Sequence, residues 1–182
     1  MYDRILVPTD GSPEGASAVA EALEFAALTG GSLVALYVVD TRDYTTLPES
    51  KWTRLESELE SAGQRAVDVV AERATAAGVD AETAVERGVP HEVILRYATE
   101  HDVDAIVMAT HGRSGVQRFL LGSVTERVVR QSPVPVLVVR VEHDGETDTD
   151  AQADVDANTD ADVDGETQVD ADANADEGAE EE

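Results

Sequence analysis

The chain has 182 residues, of which 39 are acidic and 13 are basic, so its formal net charge at pH 7 is −26. This acidic surplus argues against nonspecific binding to nucleic acid or to anionic membranes, because both need basic patches. The chain contains no cysteine, which excludes disulfides and thiolate chemistry.

The charge is unevenly distributed along the chain. All 13 basic residues and 22 of the 39 acidic residues lie in residues 1–142, so this part carries −9 and residues 143–182 carry −17. Residues 1–142 are long enough to bury a core as one domain. Residues 143–182 have no aromatic side chain and, besides alanine, only three valines as apolar residues. We predict a disordered acidic tail there, because so little apolar surface cannot offset the entropy of ordering.

The sequence also indicates the cellular compartment and the salt concentration in which the protein works. The N-terminus lacks the basic and apolar regions of a signal peptide, and no apolar run approaches the roughly 20 residues that span a bilayer. We therefore expect a cytoplasmic protein. Lys51 is the single lysine among 13 basic residues. With so many carboxylates, this favours adaptation to high salt over an ordinary acidic protein.

Short apolar runs alternate with helical segments throughout residues 1–142. We predict five strands, at residues 4–8, 32–39, 79–86, 103–109 and 134–141. We predict four helices, at residues 12–29, 49–77, 88–101 and 122–131. Apolar strands joined by helices indicate an α/β fold, with a parallel sheet covered on both faces. Right-handed crossovers make such a sheet doubly wound, but the pattern alone does not give the strand order.

Three helices carry more detailed predictions. Ser12 is the expected N-cap of the first helix, with Pro13 at its first position. Apolar spacing predicts the residues that face the core. In the first helix these are Ala16, Val19, Ala20, Leu23 and Ala27; in the second, Trp52, Leu55, Leu59, Ala62, Ala66, Val69 and Val70; in the third, Val93, Ile94, Tyr97 and Ala98.

A glycine-rich segment, residues 110–121, follows the fourth strand and leads into a helix. Gly112 allows backbone N–H groups to approach an anion closely. Gly122 and Ser123 lie at a helix N-terminus, where free N–H groups and the helix dipole favour phosphate. The hydroxyls of Ser123 and Thr125 would add donors. The alternative is a glycine-rich loop followed by a well-capped helix.

A second polar segment, Pro8 to Ser12, follows the first strand. Ligands of open α/β sheets bind at the carboxyl ends of the strands, and Asp10 could accept hydrogen bonds from ribose hydroxyls there. The alternative is a simple turn in which Ser12 caps the helix. Asp40 ends the second strand, and we favour a role for it in starting the next loop.

Four segments in this order resemble the universal stress protein (UspA) family, in particular its ATP-binding subgroup. The resemblance covers residues 2–141. It rests on Ile5–Ser12, on Gly88–Glu92, on His111–Gly115 continuing to Leu121–Val124, and on Ser132–Val139.

The resemblance implies an adenine nucleotide alpha hydrolase-like sheet of order 3-2-1-4-5, which would place Asp10 beside Gly112. Asp10 would meet the ribose, and Val38 would bracket the adenine. Backbone amides of Gly112, Gly122, Ser123 and Val124 would hold the phosphates of ATP, whose Mg²⁺ would be held mainly through those phosphates. The implied nucleotide-binding residues are Pro8, Thr9, Asp10, Val38, Met108, Ala109, Gly112, Arg113, Gly122, Ser123, Val124 and Thr125.

One position departs from the family pattern. ATP-binding members carry Gly-x2-Gly-x9-Gly-(Ser/Thr), and here Ala109 stands where the first glycine is expected. A methyl group near the ribose is expected to weaken binding without abolishing it. The alternative is a universal stress protein without nucleotide that acts as a dimeric interaction module. Family members commonly dimerise through the last strand, here Val134 to Val141.

Several absences argue against an enzyme. There is no Gly-x4-Gly-Lys-(Ser/Thr) motif, and no Asp or Glu lies between Gly112 and Val124 to activate water. We expect ATP to be held for regulation and no catalytic residue, with a slow ATPase as the less favoured alternative. Arg113 and Arg118 either neutralise the outer phosphates or are solvated.

The four histidines are scattered along the chain and predict no metal site. They are His91, His101, His111 and His143. We expect His91 and His111 to be exposed.

Overall fold

A computed structural model describes residues 2–42, 49–110 and 121–140. All of them belong to one compact unit, Met1–His143. The predicted domain end at residue 142 and the predicted disorder of residues 143–182 lie outside the described residues, and they stay predictions.

Strands and helices alternate through the described residues. They are β1 (Arg4–Pro8), α1 (Gly15–Thr29), β2 (Ser32–Asp40), α2 (Glu49–Ala77), β3 (Ala81–Gly88), α3 (Pro90–Glu100), β4 (Ala105–Ala109), α4 (Ser123–Gln131) and β5 (Val136–Val139). The strands form one sheet in the order β3-β2-β1-β4-β5, and every neighbouring pair is parallel. The predicted doubly wound fold is confirmed, as is the strand order that the resemblance implied.

The central strands are buried on both faces because successive side chains point in opposite directions. On one face, Ile5 and Val7 of β1 pack in a core with residues of α1 and α2. On the other face, Leu6 packs in a core with residues of α3 and α4. This two-sided burial explains why β1 and β2 are continuous apolar runs rather than alternating ones.

The start of α1 differs from the prediction. The helix begins at Gly15, so Ser12 and Pro13 lie before its first turn. The predicted capping contact nevertheless exists, because Ser12 Oγ accepts a hydrogen bond of 3.2 Å from Gly15 N–H.

The predicted core face of α1 is partly wrong. The buried residues are Ala18, Val19, Ala22, Leu23 and Ala26, whereas Ala16 and Ala27 are exposed. Alanines occur around the whole helix, so only Val19 and Leu23 set the direction of burial.

In α2, Val69 was predicted to face the core and is 55% exposed. Val67, Val70 and Ala74 are buried instead, at positions spaced by three and four residues. Val70 was predicted correctly, and its neighbour Val69 points away because successive helical residues lie about 100° apart.

The inward face of α3 is confirmed, since Val93, Ile94, Tyr97 and Ala98 are all buried. His91 is buried as well, so its predicted exposure is wrong. Positions three residues apart share a helix face, and His91 therefore lies on the same side as Ile94. His111 and His143 lie outside the described residues.

The edge strand β3 buries few side chains, and arginines attach it to its neighbours. Arg4 of β1 donates two hydrogen bonds to Glu82, of 2.9 and 2.7 Å, and these hold the pKa of that carboxyl below its usual value. Arg87 of β3 donates to Glu56 and Glu60 of α2. A third pair joins Arg96 of α3 to Glu86 at 3.2 Å.

The other edge strand, β5, is shorter than predicted. It spans Val136–Val139, and among the described strands it pairs with β4 only; Leu137 is 45% exposed. Among the helices in the described ranges, none has the length and apolar character needed to cross a membrane.

Gly63 of α2 lies against the ring of Tyr37 on β2. A Cβ atom at this position would be 2.6 Å from Tyr37 Cδ1, which is closer than real Cβ contacts allow. The absence of a side chain at Gly63 therefore allows Tyr37 to pack beneath the helix.

We predict that Gly63→Ala destabilises the protein by about 1–3 kcal/mol, because the added methyl group overpacks the Tyr37 ring. Elsewhere in a helix, Gly→Ala is stabilising by about 1 kcal/mol. A decrease in the free energy of unfolding would therefore indicate overpacking. Urea unfolding measures the difference. Ser61→Ala, at an exposed position of the same helix, serves as the control and is expected to change stability little. A Gly63→Ala protein as stable as the wild type would contradict the predicted overpacking.

Candidate functional site

A cleft of about 370 Å³ opens at the carboxyl edge of the sheet. Its walls come from the ends of β1, β2 and β4 and from the first turns of α1, α3 and α4, with Leu59 of α2 added. Binding sites for small molecules have volumes of roughly 300–1,000 Å³, so the cleft is large enough for a nucleotide-sized ligand.

Two connections that leave the sheet on opposite faces create this cleft. The chain leaves β1 to form α1 on one face, and it leaves β4 to form α4 on the other. Because β1 pairs directly with β4, their ends are adjacent while the following segments diverge. Ligands of open α/β sheets bind at this kind of switch point.

Ten of the twelve predicted site residues line the cleft. They are Pro8, Thr9, Asp10, Val38, Met108, Ala109, Gly122, Ser123, Val124 and Thr125. The other two, Gly112 and Arg113, lie outside the described residues, as does Arg118. The role of all twelve in nucleotide binding stays a prediction.

The first turn of α4 presents main-chain amides. The first intrahelical hydrogen bond joins Glu126 N–H to Gly122 O at 2.8 Å. The amides of Ser123, Val124 and Thr125 precede this bond and belong to the turn whose N–H groups lack partners within the helix. The helix dipole adds partial positive charge at this end, which favours an anion.

Two groups that we expected to donate to phosphate have partners within the protein. Gly122 N–H donates to Thr110 O at 2.8 Å. Thr125 is buried, and its Oγ1 donates to Ala109 O at 3.0 Å. Both donors satisfy main-chain oxygens at the end of β4. They therefore fix α4 against the sheet, and the amides of the following turn lack partners within the helix.

The segment after β1 forms a turn and also lines the cleft, so the two interpretations of it are compatible. Asp10 Oδ1 accepts from Ser12 N–H at 2.9 Å, and Thr9 Oγ1 accepts from Gly11 N–H at 3.1 Å. Gly11 has a φ of 73°, a conformation that glycine adopts readily. Gly15 follows so closely that its Cβ would be 3.4 Å from Asp10 Oδ1.

Asp40 has both a structural position and a place in the cleft wall. It accepts from the main-chain N–H of Arg42 at 3.0 Å, as expected of a residue that starts a loop. It also accepts from Arg42 Nε at 2.9 Å, and the guanidinium lowers the pKa of Asp40 below its usual value. The cleft therefore has an ionised carboxylate at the end of β2.

Sequence analysis did not assign several residues of the cleft wall. Leu59 and Ile94 come from α2 and α3 and carry no local motif, since tertiary packing alone brings them to the sheet edge. Tyr37 offered a weak signal, because it is the one polar aromatic residue in the apolar run of β2. In the part of the chain that the structure describes, no group of three or more His, Asp or Glu residues could hold a metal ion.

A doubly wound sheet with a cleft at its switch point is typical of ligand-binding α/β proteins. The family model for the universal stress protein family matches residues 1–140, and the chain belongs to this family. The predicted family is thereby confirmed.

Relatives and solved structures support the assignment. The chain is 38% identical over 141 residues to Universal stress protein MJ0531 of Methanocaldococcus jannaschii, covering 77% of this chain and 83% of that protein. The solved structure of MJ0577, from the same organism, superimposes with a TM-score of 0.72 at 31% identity, covering 79% of this chain and 99% of the other. A universal stress protein solved in complex with cAMP has a TM-score of 0.57 at 28% identity, with coverages of 78% and 98%.

We predict that Thr125→Val destabilises the protein by about 1–2 kcal/mol, because it removes a buried hydrogen bond while preserving the side-chain shape. Urea unfolding measures the loss. Thr75→Val is the matched control, since the Thr75 hydroxyl also donates to a main-chain oxygen, Ala71 O, but is exposed. Water replaces that partner, and a small change is expected. Equal losses in the two variants would contradict a specific link between α4 and β4.

Proposed function

We propose that this universal stress protein binds adenine nucleotides in the cleft at the carboxyl edge of its sheet, with ATP as the main ligand. The observation that carries the proposal is the first turn of α4. Its amides lie in the same cleft wall as Asp10, with Gly122 and Thr125 committed to holding the helix in place. The relative solved in complex with cAMP supports an adenine nucleotide as the ligand.

The charges of the cleft suggest how a nucleotide would lie. Phosphates would accept from the amides of α4, where the helix dipole is favourable. Asp10, which follows the neighbouring strand β1, would accept from the ribose hydroxyls. Val38 of β2 would contact the base. Asp10 and Asp40 are the carboxylates of the described cleft wall, and they lie at the ends of β1 and β2. A Mg²⁺ ion accompanying ATP would therefore be held mainly through the phosphates and would offset their charge.

The same arrangement favours binding for regulation over catalysis. Asp10 accepts from Ser12 N–H, and Asp40 accepts from Arg42. Each carboxylate thus has a structural partner, and neither lies on α4 beside the phosphate-binding amides. A general base must lie within hydrogen-bond reach of the water that it activates. We therefore propose a stress-response regulator whose nucleotide changes its state or its partners, with slow ATP hydrolysis as the less favoured alternative.

A second candidate function is a dimeric interaction module, and the β5 edge favours it. Leu137 is 45% exposed on a strand whose outer side pairs with no described strand. An apolar edge strand is a site for pairing with another chain. Dimerisation through Val134 to Val141 is compatible with nucleotide binding, because the cleft lies at the ends of more central strands.

We predict that Ser123→Pro weakens Mg-ATP binding about tenfold or more, because it removes one amide donor to a charged acceptor. Proline suits the first position of a helix, and Gly122 before it has φ −57° and ψ 143°, a conformation that a residue preceding proline adopts readily. Isothermal titration calorimetry measures the affinity.

Ser123→Ala is the matched control, since it removes the hydroxyl and keeps the amide. A loss of less than about fivefold is expected for it, from one neutral hydrogen bond. Urea unfolding of both variants separates binding from folding. Equal affinities of Ser123→Pro and wild type would contradict the amide site. A wild-type protein that binds none of ATP, AMP or cAMP at millimolar concentration would refute the proposed function.

We predict that Ala109→Gly tightens ATP binding about fivefold or more, because half-buried Ala109 lines the cleft, where its methyl group would crowd the proposed ligand. Calorimetric titration again measures the change. Ala105→Gly, at the buried start of the same strand, tests for a general effect of glycine in β4 and should leave the affinity unaltered. Unchanged binding in Ala109→Gly would rule out crowding.

A further inference from the structure

We propose that the hydroxyl of Tyr37 recognises the nucleotide base, by donating a hydrogen bond to an unprotonated ring nitrogen of the adenine. This inference rests on the proposed function and assigns a residue to the base end of the same cleft.

The first observation is that Tyr37 is buried and that no described residue forms a hydrogen bond with its hydroxyl. It is 6% exposed and lines the cleft. Its ring belongs to the core between the sheet and α2, beside Gly63. The structure shows no hydrogen bond from its hydroxyl to any described residue. The hydroxyl of a largely buried tyrosine usually has a partner, and for Tyr37 a ligand in the cleft could be that partner.

The second observation concerns where this hydroxyl lies. Among the described side chains, Arg4 Nε is the one fully enclosed polar atom without a partner. The Tyr37 hydroxyl is therefore not fully enclosed, and the cleft is the open space that Tyr37 borders. The helix α2 runs back along the sheet, so Leu59, one turn before Gly63, is nearer the carboxyl edge and also lines the cleft. The ring of Tyr37 thus lies beneath the part of α2 that forms the cleft wall.

The strand order then assigns Tyr37 to one end of the ligand. The phosphate-binding amides follow β4, Asp10 follows β1, and Tyr37 belongs to β2. Adjacent strands are about 4.8 Å apart, so β2 lies about 10 Å from β4. A nucleotide whose phosphate lies at α4 and whose ribose lies at β1 extends its base to β2.

The chemistry of that end favours adenine. Asp40 supplies a carboxylate at the end of the same strand, and hydrogen bonds from Arg42 lower the pKa of this carboxyl. Tyr37 supplies an O–H donor whose position is fixed by packing. Adenine has ring nitrogens that accept hydrogen bonds and an exocyclic amino group that donates them. A donor and an anionic acceptor at one end of the cleft match these two groups.

The test compares Tyr37→Phe with the wild type in calorimetric titrations with AMP. The variant removes only the hydroxyl, and AMP affinity is expected to fall about five- to thirtyfold, the cost of one hydrogen bond. Tripolyphosphate, which has no base, should bind both proteins equally. Tyr2→Phe is the control, because Tyr2 packs on Phe25 and is 37% exposed outside the cleft wall. It should bind AMP as the wild type does.

Ligand variants identify the acceptor. The 1-deaza, 3-deaza and 7-deaza analogues of AMP each replace one ring nitrogen by C–H. One analogue should bind the wild type more weakly than AMP does, by the same factor by which Tyr37→Phe weakens AMP binding. That analogue and AMP should bind Tyr37→Phe with equal affinity. If AMP binds Tyr37→Phe and wild type equally, the inference is overturned and the proposed function stands. If all three analogues lose affinity equally in both proteins, the base contact is likewise overturned. If the wild type binds no adenine nucleotide, both proposals fail.

Discussion

The geometry of this protein depends on two crossover connections that leave a parallel sheet on opposite faces. After β1 the chain forms α1 on one side, and after β4 it forms α4 on the other. Since β1 and β4 are neighbours, the chain itself leaves a gap between the two departing segments. The polar groups of the cleft lie around this gap, at the ends of the strands and in the first turns of the helices. The pairing of β1 with β4 brings Asp10 and the first turn of α4 to the same cleft.

Hydrogen bonds at the end of β4 show which polar groups near α4 have a structural role. At the sheet edge, Thr110 O accepts from Gly122 N–H and Ala109 O accepts from Thr125 Oγ1. This commitment fixes α4 in position, so its remaining first-turn amides are oriented before a ligand arrives. If these amides bind phosphate as proposed, their site is preorganised and needs no lysine.

The sequence predicted the parts of the fold that are encoded locally. The apolar runs of β1 and β2 predicted strands buried on both faces, and Pro90 with its following residues predicted α3 and its core face. The strand order came from the family resemblance, because an apolar run does not specify its neighbour. Alanines occur around the whole of α1, so its sequence did not show which face is buried. The burial of His91 results from packing against the sheet, which its local sequence does not reveal. Likewise, Leu59 and Ile94 reach the cleft by tertiary packing, and Tyr37 has no motif around it.

The arginines that attach β3 protect more than that strand. Arg4, Arg87 and Arg96 connect it to β1, α2 and α3. If β3 detached, the apolar strand β2 would become an edge with unpaired amides and carbonyls. An exposed apolar edge is a template for β-aggregation. Charged side chains at the rim of the sheet thus add to the main-chain pairing that keeps the apolar strand β2 covered.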